Sequence, residues 1–423
     1  MISTLLRRTI AKRREPFLFS SYNNDVDFST LPENTGLYVH IPFCKALCPF
    51  CPYNKTGYVA ETAEIYMDAV IKELHMLKKY TGNQAFSSLY IGGGTPTLML
   101  DRLSGIIEYV FENYNFSGDI GIEVHPSDAD GTLLKRIRKM GINMVSLGVQ
   151  TFDDGVLGLL GRGYAGSDAA TAVKEALDLG FDCVDVDIMF NLPGQTVEEA
   201  VDDVRTCFAL GVDQVSIYPM IVFPMTPLYN QVKDGSIRRL NNIQEYRVLK
   251  EIKTLAGKMG YERTSVWTYG RKDAKRYSSV TRESFLGVGA GATSLFGGYF
   301  YLNTFDVDAY VKSLSTERLP INLVNRMSPR ERMVFWLFWR CYDTSFDLMK
   351  FHELFECSFE KEFPYMFRGL KALGLAVTDG GTVKLTDRGA YIYHLIEKHY
   401  SETYLNDMWE ACRKNPWVES FSL

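Results

Sequence analysis

Three of the chain's eight cysteines stand within eight residues, in Cys44-Lys-Ala-Leu-Cys48-Pro-Phe-Cys51, and this C-x3-C-x2-C spacing constrains the fold more than any other feature. Given one cysteine, random placement of the other two at these positions is expected roughly 4 times in 10,000 from this composition. Three thiolates on one loop can hold three irons of a four-iron cluster and leave the fourth iron open to a ligand. The competing chemistry is a zinc site with His40 or His125 as fourth ligand. It is disfavoured because structural zinc uses paired C-x2-C elements and none recurs. The other five cysteines (Cys183, Cys207, Cys341, Cys357, Cys412) are scattered and read as buried core thiols. So few in 423 residues make no disulfide scaffold, and a reducing, cytoplasmic setting is expected.

The cluster loop follows the first of six short apolar runs: LYVHI (37–41), SLYI (88–91), IGIEV (120–124), MVSLGV (144–149), VDVDIMF (184–190) and QVSIYP (214–219). Helix-like segments such as 61–80 and 167–180 lie between them, with Gly180 as a helix stop. This alternation predicts α/β architecture, a partial (β/α)6 TIM-like barrel whose sites gather at the C-terminal strand ends. After about residue 325 the pattern changes. Ser328-Pro329-Arg330-Glu331 reads as a capping box opening an aromatic-rich helix, and LAVTDGGTVKL reads as a hairpin. The expected division is a basic extension over 1–35, the barrel and its extension over 36–310, and a small helical, winged-helix-like C-terminal domain over 326–423.

Net charge of -5 gives no basic footprint for nucleic acid, and no apolar run is long enough to span a bilayer. No secretory signal is expected at the N-terminus. Residues 1–15 are basic and amphipathic, a pattern that reads either as a solvated tail or as contact with an anionic membrane face.

Further residues carry chemistry. Gly92-Gly93-Gly94-Thr95-Pro96-Thr97 follows the second run, and consecutive glycines let backbone approach a ligand closely. Glu123, Gln150, Arg162 and Asp187 are polar groups at or near strand ends, costly there unless they meet a ligand or one another.

Together with Tyr38-Val-His-Ile-Pro-Phe-Cys44, these motifs resemble the radical S-adenosylmethionine (SAM) superfamily, and within it the branch of the oxygen-independent coproporphyrinogen III oxidase. The likeness runs over roughly residues 35–310. It implies a [4Fe-4S] cluster on Cys44, Cys48 and Cys51, and two SAM molecules. Tyr38, Gly93 and Glu123 match positions holding the first; Phe50, Gly94, Thr95, Gln150, Arg162, Asp187 and Ile221 match positions holding the second. Thr293, within FLGVGAGATS (285–294), matches a further contact. The resemblance also implies a low-potential donor such as ferredoxin or flavodoxin, and radical chemistry started by reductive cleavage of SAM.

The chain departs from the oxidase in having Tyr53 where that enzyme has a further cysteine, and RYSSVTRESF (276–285) in place of an arginine-asparagine-phenylalanine element. It lacks the histidine-asparagine and tyrosine-tryptophan element of the related haem chaperones. The resulting expectation is a class C radical SAM methyltransferase acting on an sp2 carbon of a flat apolar substrate, with the menaquinone ring (C8) foremost. The alternatives are a tetrapyrrole enzyme, a haem-opening methyltransferase or an oxidase, and a haem carrier without catalysis. No catalytic residue is assigned; Tyr53 and His125 are candidates for the final proton acceptor.

Overall fold

The structure is a computed structural model that describes residues 17–278 and 283–422. The six apolar runs all form strands: β1 (Thr35–Ile41), β2 (Ala85–Gly93), β3 (Asn115–Val124), β4 (Met144–Gln150), β5 (Cys183–Phe190) and β6 (Gln214–Pro219). They pair in parallel in chain order. The side-chain period of two explains their composition. Val145, Leu147, Val149, Val184, Val186 and Ile188 are wholly buried in the main apolar core. At the other parity stand Ser146, Asp185, Asp187 and Ser216, hydrogen-bonded to one another across neighbouring strands. Helices close the outer side, among them α1 (Ala60–Thr81) and Gly166–Asp178, the latter followed by Gly180 at φ +64°. A later helix, α2 (Asn242–Lys258), begins in a capping box built on Asn241.

The sheet extends on both sides as an open wall, so the six units make a partial barrel. Next to β1 runs the parallel strand β7 (Phe285–Val288), followed by the antiparallel β8 (Thr293–Phe296), β9 (Tyr299–Asn303) and β10 (Ile321–Arg326). Residues 285–294 are therefore a strand hairpin, not a nucleotide loop leading into a helix. Beyond β10 the strand Leu18–Ser21 and then the closing strand Ser420–Ser422 complete this edge.

Ser328 caps α3 (Pro329–Tyr342), its backbone N–H donating to Glu331 at 2.7 Å while its hydroxyl accepts from the Glu331 amide at 3.3 Å. Ala376–Asp379 and Thr382–Leu385 form the hairpin, turning through Gly380 and Gly381 at φ +54° and +90°, and α4 (Asp387–Tyr400) follows. Trp336, Phe346, Phe351, Phe359 and Phe363 make a local core for this region. Phe338 and Trp339 turn the other way, to Trp267 of the barrel and Tyr393 of α4. The last helix, Asn406–Lys414, packs Met408 and Cys412 against Phe19, Leu302 and Leu323. The basic stretch at residues 1–15 lies outside the described residues, and among those described no helix is long and apolar enough to cross a membrane.

Candidate cofactor site at the C-terminal ends of the strands

The cysteine loop leaves β1 and is pinched at its neck. Phe43–Cys44 pairs with Thr56–Gly57, and the Tyr58 amide donates to the Cys44 carbonyl at 3.0 Å. Inside the loop the Lys55 ammonium donates to the carbonyls of Cys48 and Cys51, at 2.6 and 2.9 Å. Burial pushes the Cys44 thiol up to about 11; a hydrogen bond from Thr95 and the Lys55 charge act against this, and the two neighbouring thiols add to it. Thiols of this kind lose their protons to a metal rather than to water. Three thiolates on one short loop can each take one iron of a four-iron cluster. His40 is also committed elsewhere: its Nε2–H donates to the Asn54 carbonyl at 2.9 Å, so Nδ1 accepts from the Tyr38 hydroxyl at 2.8 Å. The donor set, with a cation beside it, fits a [4Fe-4S] cluster.

The glycine run lies directly against this loop. The Gly94 amide donates to the Ile41 carbonyl at 2.7 Å and the Thr95 amide to the Phe43 carbonyl at 2.8 Å. A Cβ at Gly94 would stand 2.6 Å from the Phe43 oxygen and 2.8 Å from Cys44 Sγ. One at Gly93, where φ is +121°, would stand 2.7 Å from the His40 ring. Only glycine permits this approach. Glu123 accepts from the Gly93 amide at 3.0 Å and from the Tyr90 hydroxyl at 2.9 Å, and burial raises its carboxyl. The Tyr38 ring lies 6.0 Å from that of Tyr90, so Tyr38, Gly93 and Glu123 come together on adjacent strands.

Most of the second set gathers one step along the barrel. The Arg162 guanidinium lies 5.9 Å from the Phe50 ring and 6.0 Å from that of Tyr164, and among the described residues its Nε is buried without a partner. Gln150, at φ +72°, turns its amide back over Gly148 beside Arg162. Asp187 accepts from Ser146 at 3.0 Å; burial, with Asp185 and Glu123 nearby, raises its carboxyl, and Arg162 opposes this. Thr95 is buried and engaged with Cys44. Ile221 packs with Tyr218, Trp267 and Tyr342. Thr293 stands apart on β8, two strands beyond β1.

Of the two proton-acceptor candidates, His125 is held down to about 4 by burial and the Arg162 charge, and Ser127 meets its Nδ1 at 2.7 Å. Tyr53 is solvent-open, 5.7 Å from Trp409. The sequence reading missed three residues. Lys55 carried a usable signal, a lysine just inside the loop's end. Asp185 accepts from Ser216 at 2.8 Å beside Asp187, and its alternation with Asp187 on β5 could have revealed it. Arg413 donates to the carbonyls of Pro52 and Tyr53, at 2.5 and 2.7 Å, from the far end of the chain, and nothing local announced it.

Comparison with known proteins bears on this geometry. The family model of the radical SAM superfamily matches residues 38–207. The chain is 28% identical over 360 residues to the haem chaperone HemW of Bacillus subtilis, spanning 83% of this chain and 95% of that one. It is 28% identical to the oxygen-independent coproporphyrinogen III oxidase of Cereibacter sphaeroides over 70% of each chain. The fold matches the solved structure of coproporphyrinogen III oxidase (HemN) from Escherichia coli with a TM-score of 0.77 at 22% identity, over 93% of this chain and 98% of that one.

Two outcomes are expected. Gly94→Ala, which drives a Cβ into the Phe43 carbonyl and the Cys44 sulfur, lowers iron retained after anaerobic reconstitution severalfold, measured as iron per chain. Burial holds His40 down to about 4, so from about pH 6.5 downward the unfolded chain takes up a proton there that the folded one refuses. Its contribution to stability is therefore lost as pH falls from about 6.5 to 4, and urea denaturation across that range shows a shallower slope in His40→Gln.

Proposed function

Because residues 38–207 are a radical SAM domain and the chain belongs to the coproporphyrinogen-oxidase-like branch of that superfamily, we propose that it acts on a tetrapyrrole, with a [4Fe-4S] cluster and two SAM molecules. One observation carries the reading. The likeness to a protein named for haem runs through 83% of this chain, so it extends beyond the radical domain at 38–207 and reaches into the C-terminal region. The methyl-transfer expectation, and menaquinone with it, draws no support from these relatives, and the tetrapyrrole alternative takes its place.

Cys44, Cys48 and Cys51 would hold the cluster, which with SAM supplies one-electron cleavage of a sulfonium and hence a carbon radical. Lys55 offsets the charge of three thiolates. Glu123 offers a buried carboxylate suited to the α-ammonium of one SAM, fixed in place by Tyr90 and the Gly93 amide. Arg162, with its unpartnered Nε, and Asp187 offer opposite charges suited to the carboxylate and ammonium of another. Tyr53, Tyr218 and Trp409 offer flat faces suited to a macrocycle, with Trp267 and Tyr342 packed behind Tyr218, and such apolar lining would exclude the water that quenches a radical.

The test is anaerobic turnover of reconstituted protein with dithionite and SAM, offering coproporphyrinogen III, haem and a menaquinone in separate reactions and following products by mass spectrometry. We expect 5′-deoxyadenosine and a mass change in one tetrapyrrole. A mass change confined to the quinone, with S-adenosylhomocysteine, overturns the reading.

A further inference from the structure

Behind Tyr218 and Ile221, the buried Trp267 is held by a relay that none of the cofactor motifs includes. The Trp267 indole N–H can only donate, and it does so to His394 Nδ1 at 3.1 Å. His394 must therefore carry its proton on Nε2, which donates to Glu245 at 3.0 Å. Glu245, on α2, also accepts from Lys398 on α4, at 2.6 and 2.8 Å, and from Asn191. Asn191 follows directly after β5, the strand of Asp185 and Asp187. It holds a left-handed backbone, φ +61°, while its side-chain oxygen accepts from the Leu240 amide at 2.7 Å. His394 and Glu245 are fully buried.

A charged carboxylate in such a place is costly unless it is fully partnered, and here it meets three donors. Burial alone would raise Glu245, but His394 and Lys398 hold it down to about 2; burial in turn keeps His394 neutral. The His394 ring is clamped as well, stacked 6.0 Å from Phe190 and 5.6 Å from Tyr391. With both nitrogens engaged and two rings stacked on it, it presents one fixed acceptor to one indole. That indole packs edge-on to Tyr342 at 5.6 Å and to Tyr218 at 6.0 Å, within the cluster that contains Ile221.

We propose that His394, anchored by Glu245 and Lys398, is a positioning residue that sets the Trp267 ring, and through it the placement of Tyr218 and Ile221, against which the substrate would lie. The relay makes substrate fit depend on how the C-terminal region docks: α4 supplies His394 and Lys398, and the barrel supplies Glu245, Asn191 and Trp267. The substrate part of this inference rests on the tetrapyrrole reading.

The test uses the full-length reconstituted protein with His394→Gln, His394→Leu and Trp267→Phe. Glutamine can accept from Trp267 and donate to Glu245; leucine can do neither. Readouts are the 15N-labelled Trp267 indole resonance, KM against kcat, and the fraction of SAM cleaved without product. His394→Leu is expected to move the resonance, raise KM about fivefold, as the loss of one ordinary hydrogen bond would, and raise uncoupled cleavage, with kcat changed less than KM. His394→Gln restores all three. An unmoved resonance and unchanged KM in a folded His394→Leu overturn the proposal. If that variant does not fold, Trp267→Phe decides: a matching rise in KM supports the proposal and an unchanged KM overturns it. A wild-type protein that ignores tetrapyrroles overturns the substrate reading alone, because the indole resonance and the KM for whatever substrate is turned over still decide the relay.

Discussion

The site depends on the seam where the glycine run meets the cysteine loop. Two backbone hydrogen bonds, from Gly94 to Ile41 and from Thr95 to Phe43, join the exits of β1 and β2 at a separation that no side chain survives. That seam fixes the Cys44 sulfur relative to the Gly93 amide, and the Gly93 amide fixes Glu123. The Cys44 thiol and the adjoining carboxylate are thus parts of one rigid object, and most of the parallel sheet serves to hold it.

Around that seam the barrel manages buried charge by pairing it. Asp185 is satisfied by Ser216 and Ser146, Glu123 by Tyr90 and a backbone amide, and Glu245 by three donors. Glu73, on α1, meets the Gly289 amide at 2.8 Å and Asn303 at 2.7 Å, tying the helix to the turn after β7. Arg162 differs, since its Nε is buried without a partner among the described residues.

The six strands were legible because each is a short, β-branched run whose polar interruptions fall at period two, as in VDVDIMF. The helix at Ser328 and the turn at Gly380-Gly381 were legible because caps and left-handed turns require particular residues. The antiparallel wall from β7 to β10 was not, since its strands are ambiguous one at a time and only pairing defines them. The links from Arg413 to Tyr53 and from His394 to Trp267 span 360 and 127 residues, and local pattern carries no trace of contacts at that distance. The quinone expectation leaned on C-terminal aromatics, many of which bury one another around Phe351 and Phe359, and on residues 1–15, which lie outside the described structure.

The most direct measurement is electron paramagnetic resonance of the dithionite-reduced, reconstituted protein, with iron quantified, before and after adding SAM. The account predicts about four irons per chain and a reduced-cluster signal whose g-values move when SAM reaches the iron that no cysteine holds. Zinc in place of iron, or a four-iron signal indifferent to SAM, would contradict it.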